Sequence, residues 1–228
     1  TLKELLREEA PMKPERLLPI AKEICDGLTA AHHAQIIHRD LKPDNIFLES
    51  TGAGYRVKLV DFGIAAMLDG EDAAGTRQRL GTLRYMAPEQ CRSGLVDGRA
   101  DLYALGVVLY EGLTRRRVTG KTVSSVCNDV PELPNVVLSS DSQLPHSLED
   151  LLMSLLEKHP DHRPSTAEEV ARGFDDCLAE IRGDIPYQQP QTFGQEMQSQ
   201  GRDLRLWYGI GIATAVGILG GLAWGLIA

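Results

Sequence analysis

Residues 99–113 limit what this chain can become more than any other stretch. Leu102, Tyr103, Leu105, Val107, Val108, Leu109 and Tyr110 leave almost no polar face across it. A helix that is apolar all round is a buried one, so other elements must enclose this stretch on every side. Suitable neighbours are legible. Leu17, Ala21, Ile24, Leu28 and Ala31 recur at three- and four-residue spacing, which predicts a helix over residues 15–35 with one buried stripe. Thr1-Leu2-Lys3-Glu4 reads as a capping box opening a short helix, with Leu2, Leu5 and Leu6 on one side, broken by Pro11 and Pro14. A helix over residues 148–156 and one opened by Ser165-Thr166-Ala167-Glu168 and running to about Arg182 complete the set. Strands are short: Ile46-Phe47-Leu48, and residues 55–60 with Val57 and Leu59 on one face. The pattern predicts an α-rich lobe built around a central pillar.

Between the second helix and the first strand lies His38-Arg39-Asp40-Leu41-Lys42-Pro43-Asp44-Asn45. These residue types suit phosphoryl transfer. Asp40 can accept the proton of an incoming hydroxyl, and Lys42 can neutralise charge on the transferred phosphoryl. Asn45 can place a side-chain oxygen on a divalent metal, with Pro43 holding the turn between them. Asp61 ends the second strand, where a carboxylate can chelate the metal bridging the β- and γ-phosphates. Gly63 lets the backbone turn without a Cβ clash.

At every fixed position this loop resembles the H-R-D-L-x-x-x-N catalytic loop of the protein kinases, and Lys42-Pro43 resembles the serine/threonine branch. Other segments follow in the family's order. Asp61-Phe62-Gly63 comes first. Gly81-Thr82 and Ala87-Pro88-Glu89 are similar to the substrate-docking segment and its closing A-P-E. Residues 101–106, opening on Asp101, look like the start of the large buried helix. His162-Arg163-Pro164 resembles the late segment whose arginine pairs with the A-P-E glutamate, here Arg163 with Glu89. The resemblance covers residues 1–182 and implies a protein-kinase large (C-terminal) lobe, mainly α in an α+β fold. The whole looks most like the membrane-anchored, eukaryotic-like serine/threonine kinases of bacteria.

The resemblance implies roles. Asp40 would be the base, Lys42 the γ-phosphoryl partner, and Asn45 and Asp61 the ligands of Mg2+, with Mn2+ as an equivalent hard cation. Phe47 would lie beneath the adenine of ATP or else simply in the core. Asp101 would hydrogen-bond the catalytic-loop backbone. His38, Arg39, Phe62 and Gly63 would frame the site. Residues 64–86 would be the activation loop, with Thr82 touching Asp40 and Lys42, and Thr76 as a phosphosite whose added charge recruits Arg39. The implied activity is ATP-dependent phosphorylation of serine or threonine in proteins. A catalytically silent, membrane-tethered interaction module is the alternative, although such a module has no chemical need for Asp40, Asn45 and Asp61 together.

The family's Gly-rich loop, V-A-I-K lysine and αC glutamate are not found in the sequence. The chain opens with Thr1 rather than Met and reads as a fragment without the small lobe, inactive on its own. Residues 114–142 are the least informative. Arg115-Arg116-Arg117-Val118-Thr119-Gly120 stands where many such kinases carry a G-x-x-P-F-like segment, and the Arg run reads as a solvated face. His32 and His33 read as structural residues at a helix end. The net charge of −8 argues against nucleic acid as a partner. Cysteines 25, 91, 127 and 177 show neither C-x-x-C nor metal spacing and read as free thiols in a reducing compartment.

The C-terminal end changes character. Residues 183–205 are Gln- and Pro-rich and read as a juxtamembrane linker. Residues 206–228 carry no charge, and a helix over 207–228 would be about 33 Å long, against a hydrocarbon core of about 30 Å. Trp207, Tyr208 and Trp224 suit its interfaces, and Arg202 and Arg205 place the preceding lobe in the cytoplasm, below a single-pass span of the cytoplasmic membrane. Gly217, Gly221 and Gly225 fall four apart, with Ala213 extending the row, so two spans could pair into a homodimer along that face.

Overall fold

The structure is a computed structural model that describes residues 1–52, 54–62, 83–92, 95–118 and 122–184. The chain divides into a unit of Thr1–Tyr187 and a unit of Gln188–Ala228, and the second lies wholly outside the described residues. So do Gly63, Thr76 and Thr82, most of the predicted linker, the predicted span and its glycine row. Among the described residues no helix is long and apolar enough to cross a membrane.

The first helix, α1 (Leu2–Glu9), opens on the predicted box: Thr1 Oγ1 accepts from Glu4 N, and the Glu4 carboxylate takes the Thr1 nitrogen. Helix α2 (Pro14–His33) starts on Pro14, whose missing N–H is lost among donors that have no partner in a first turn anyway. It closes with Gln35 in a left-handed conformation, φ 60°, and Ile36 N donating to Ala31 O at 2.9 Å. After a 3-10 turn, Pro43–Asn45, strands β1 (Ile46–Thr51) and β2 (Gly54–Leu59) pair antiparallel from Ile46↔Leu59 to Thr51↔Gly54. Tyr55, Val57 and Leu59 alternate inward, and β2 packs on α2.

Helix α3 (Pro88–Cys91) is a single turn, and α4 (Arg99–Thr114) is the predicted pillar. Every residue of α4 from Ala100 to Thr114 is buried. Each buried Leu, Val or Tyr contributes roughly 1.5–3 kcal/mol, which offsets the roughly 1–2 kcal/mol of backbone entropy that ordering a residue costs. Gly106 permits the close approach of its neighbour: a Cβ there would sit 2.8 Å from Leu155 Cβ. Arg115, at φ 56°, stops the helix.

Residues 122–144 fold into short pieces, α5 (Val123–Asn128) and α6 (Pro134–Val137). Helix α7 (His146–Leu155) packs on α4, and α8 (Ala167–Arg182) packs on α2 and α7. The cap of α8 differs by one residue from the predicted Ser165 box. Thr166 is the N-cap, with Oγ1 accepting from Glu169 N at 3.2 Å, and Glu169 Oε2 reaches back to Ser165 N at 2.8 Å. The frame is set by Ala167, Val170, Phe174, Cys177 and Leu178, which must face the core, and Thr166 immediately precedes that stripe. Gly183 ends α8 in a left-handed conformation, φ 78°, with Asp184 N donating to Ala179 O.

Candidate active site

The site is hung from the first turn of α4. Asp101, 1% exposed, accepts three hydrogen bonds of 2.8 Å: from His38 N and His32 Nε2 on Oδ2, and from Arg39 N on Oδ1. A carboxylate in a first helical turn also faces the positive end of the helix dipole. Two successive loop amides are thereby fixed, and Arg39 is held at φ 61°, a conformation that non-glycine residues adopt where surroundings impose it. Gly98 makes room for the His32 ring, because a Cβ there would lie 2.7 Å from His32 Nδ1 and Cε1.

Beyond Arg39 the loop turns its reactive groups together. Lys42 Nζ donates to Asp40 Oδ2 at 2.6 Å. Asn45 Nδ2 donates to the same oxygen at 3.2 Å and to Asp40 O at 2.9 Å. With its amide nitrogen engaged, Asn45 has its amide oxygen left to offer a metal. Asp61 is brought alongside by the hairpin: Val60 N donates to Asn45 O at 3.0 Å, one step beyond the Ile46↔Leu59 pair. Asp61 is exposed and held at φ 55°. The fully buried His38 secures this strand end, with Nε2–H donating to Val60 O at 3.0 Å and the ring 4.5 Å from that of Phe62.

Phe47 is 47% exposed on β1, so the plain core placement does not hold. It offers an apolar surface to solvent beside the site. The donor set suits a hard cation: Asp61 and Asn45 supply oxygen, and Mg2+ usually takes one or two carboxylates together with substrate phosphates. Among the described residues no group of three or more His, Cys, Asp or Glu could hold a metal ion.

Two braces hold the segment that follows. Arg163, whose side chain is fully buried, grips both Glu89 oxygens at 2.6 and 2.8 Å and spends its remaining donors on the carbonyls of Glu157, Arg99 and Lys158. All five guanidinium N–H groups are thereby used. Glu111 on α4 takes Arg84 Nε and, at 3.1 Å, Tyr85 OH. Burial pushes the Glu111 carboxyl above its ordinary value, and Arg84 opposes that shift.

Two positioning residues escaped sequence reasoning. Gln90 Nε2 donates to Arg39 O at 2.8 Å while Gln90 Oε1 accepts from Ala87 N at 2.8 Å, which ties α3 to the loop. Sequence position marks His32 only as a helix-end residue. Gln90 adjoins the A-P-E triplet and His32 ends a strongly periodic helix; those positions are the available signal for each.

Comparisons with known proteins show the family. The protein kinase domain family matches residues 1–174. The serine/threonine-protein kinase PrkC of Bacillus subtilis is 37% identical over 173 residues, 75% of this chain and 26% of the relative. The serine/threonine-protein kinase PknB of Mycobacterium tuberculosis is 38% identical over 174 residues, 75% of this chain and 27% of the relative. The chain thus spans about a quarter of the length of these relatives. Among solved structures, the PknI kinase domain of Mycobacterium tuberculosis shares the fold at a TM-score of 0.57 and 22% identity, over 78% of this chain and 61% of that one. The Rad53 kinase domain does so at 0.57 and 24%, over 75% and 63%. The chain belongs to the protein kinase domain family.

Proposed function

We propose that this chain is the large lobe of a bacterial-type serine/threonine protein kinase, which phosphorylates protein hydroxyls at the expense of ATP. The observation that carries the reading is the convergence of Asp40, Lys42 and Asn45 in one loop, with Asp61 on the paired strand. Asp40 would orient the acceptor hydroxyl and take its proton. Lys42, already within 2.6 Å of Asp40, would share its charge between that carboxylate and the transferred phosphoryl. Asn45 and Asp61 would hold Mg2+, and Phe47 would supply the apolar floor for the adenine. Mg2+–ATP itself brings the activated phosphoryl and screens its charge.

The Gly-rich loop and the phosphate-gripping lysine would come from a small lobe elsewhere in a longer polypeptide. Residues 206–228 would anchor the lobe by one helix in the cytoplasmic membrane, with pairing through Gly217, Gly221 and Gly225 bringing two lobes within reach of each other's Thr76. The names of the relatives support the protein-kinase reading, and the uncharged length of residues 206–228 supports the anchor. The test is Mg2+-dependent transfer of labelled phosphate from ATP to a protein acceptor by a polypeptide joining this chain to a small lobe. The parent should label serine or threonine, and Asp61→Ala should not. Equal labelling by both, or no labelling by the parent, overturns the proposal.

A further inference from the structure

Two of the four cysteines lie on helices that touch. Cys91 ends α3, and Cys127 lies on α5, two short helices that pack together. Two contacts bring them together. Cys127 Sγ lies 3.9 Å from the carbonyl oxygen of Pro88, three residues before Cys91 and on the same helix face. Arg92 Nη2 donates to Cys127 O at 3.1 Å, so the chain on both sides of Cys91 touches Cys127. Both thiols are free, Cys91 half-buried and Cys127 buried. Cys25 and Cys177 are buried elsewhere, on α2 and α8.

We propose that Cys91 and Cys127 form a redox-modifiable pair that closes to a disulfide between α3 and α5 on exposure to a small-molecule disulfide such as oxidised glutathione. The half-buried Cys91 reacts first. Its thiolate attacks one sulfur of oxidised glutathione, the S–S bond breaks, and one glutathione leaves as thiolate, giving a mixed disulfide. Cys127, having lost its proton to water, then attacks Cys91 Sγ and expels the second glutathione. Two protein thiols are oxidised by two electrons, and one glutathione disulfide is reduced to two thiols. Burial pushes the Cys91 thiol up to about 11, with Cys127 and Glu89 adding to the shift and Arg92 opposing it. The thiolate is therefore scarce at neutral pH and closure is slow, so the pair stays reduced in a reducing compartment and closes only under sustained oxidation.

The bond would act on the site through α3. Glu89 and Gln90 directly precede Cys91, and Gln90 Nε2 holds Arg39 O of the catalytic loop. Locking α3 to α5 would stiffen that brace.

The test uses the whole chain, incubated with oxidised glutathione, alkylated and mapped without reduction. The parent should lose two hydrogens in mass and yield one cross-linked peptide pair joining Cys91 to Cys127, with Cys25 and Cys177 still thiols. Cys127→Ser should stop at the mixed disulfide on Cys91, and Cys91→Ser should stay unmodified at Cys127. Backbone amide exchange over residues 89–92 should slow about tenfold in the oxidised parent and recover with dithiothreitol, a readout that needs no variant to fold. A parent that carries glutathione on Cys91 without closing, that cross-links through Cys25 or Cys177, or that remains fully reduced overturns the proposal. Each result stands apart from phosphoryl transfer, which the assay never measures.

Discussion

Replacing Asp101 with alanine should cost more than replacing any exposed carboxylate, and the structure sets the size. Three donors converge on Asp101 at 2.8 Å. His32 retains some exposure and can turn to water, so its loss counts for little. His38 N and Arg39 N have no such recourse, and a buried donor left unmade costs about 1–3 kcal/mol. Two of them, together with the lost charge-assisted bonds, predict a loss of roughly 3–5 kcal/mol, a large part of the 5–15 kcal/mol that holds an ordinary domain together. Asp101→Asn keeps the shape and one acceptor, and should lose about half as much. Urea unfolding followed by circular dichroism gives the free energies, and hydrogen exchange at residues 38 and 39 localises the effect. Asp175→Ala, which breaks only an exposed ion pair with Lys22, is the control and should stay within about 1 kcal/mol. An Asp101→Ala loss below about 1 kcal/mol, or unchanged protection of those two amides, would refute the claim that this carboxylate suspends the loop.

Other perturbations test other braces. Glu89→Ala strands the buried Arg163 guanidinium and should cost about 3–5 kcal/mol in the same unfolding assay; a loss under 1 kcal/mol would mean Arg163 finds other partners. Gly106→Ala places a methyl 2.8 Å from Leu155 Cβ and should cost about 1–3 kcal/mol, so an unchanged urea midpoint would show that α7 gives way freely. Burial lowers the Lys158 ammonium from 10.5 to about 8. Between those values the unfolded chain holds a proton that the folded one has released, so stability attributable to Lys158 should rise with pH across that window. Lys158→Met should flatten the rise, and an unaltered difference curve between parent and variant would contradict the assignment. Gly221→Ile should weaken self-association of the 206–228 segment in a membrane two-hybrid assay, and equal association would make the glycine row a matter of composition.

Short sequence distance made some contacts legible and motif resemblance made others so, such as Arg163 with Glu89, 74 residues apart, and Asp101 with the loop backbone, 62 and 63 residues away. The loop at residues 38–45 was legible because its working groups lie within a few residues of one another, where spacing alone determines what can meet. The α4 pillar was legible because its apolar character is continuous. His32 and Gln90 were not, because their partners Asp101 and Arg39 lie 69 and 51 residues away and nothing local marks the pairing. The same holds for the approach of Cys127 to the stretch around Cys91. Residues 122–144 resisted reading because helices of four to six residues, such as α5 and α6, are too short to display a period. The cap of α8 slipped by one residue because both Ser165 and Thr166 can cap, and only the packing of Ala167 and Val170 chooses between them.

The central claim is that Asp40 serves as the base of a phosphoryl transfer to protein hydroxyls. The most direct measurement compares the parent with Asp40→Asn, each joined to a small lobe, by the initial rate of labelled-phosphate transfer from Mg2+–ATP to a protein serine or threonine, with circular dichroism confirming an unchanged fold. The substitution keeps the shape of the side chain and removes its charge. The account predicts a rate lower by about 10²–10⁴-fold, the usual worth of a positioned general base. Transfer by Asp40→Asn at the parent's rate would contradict it.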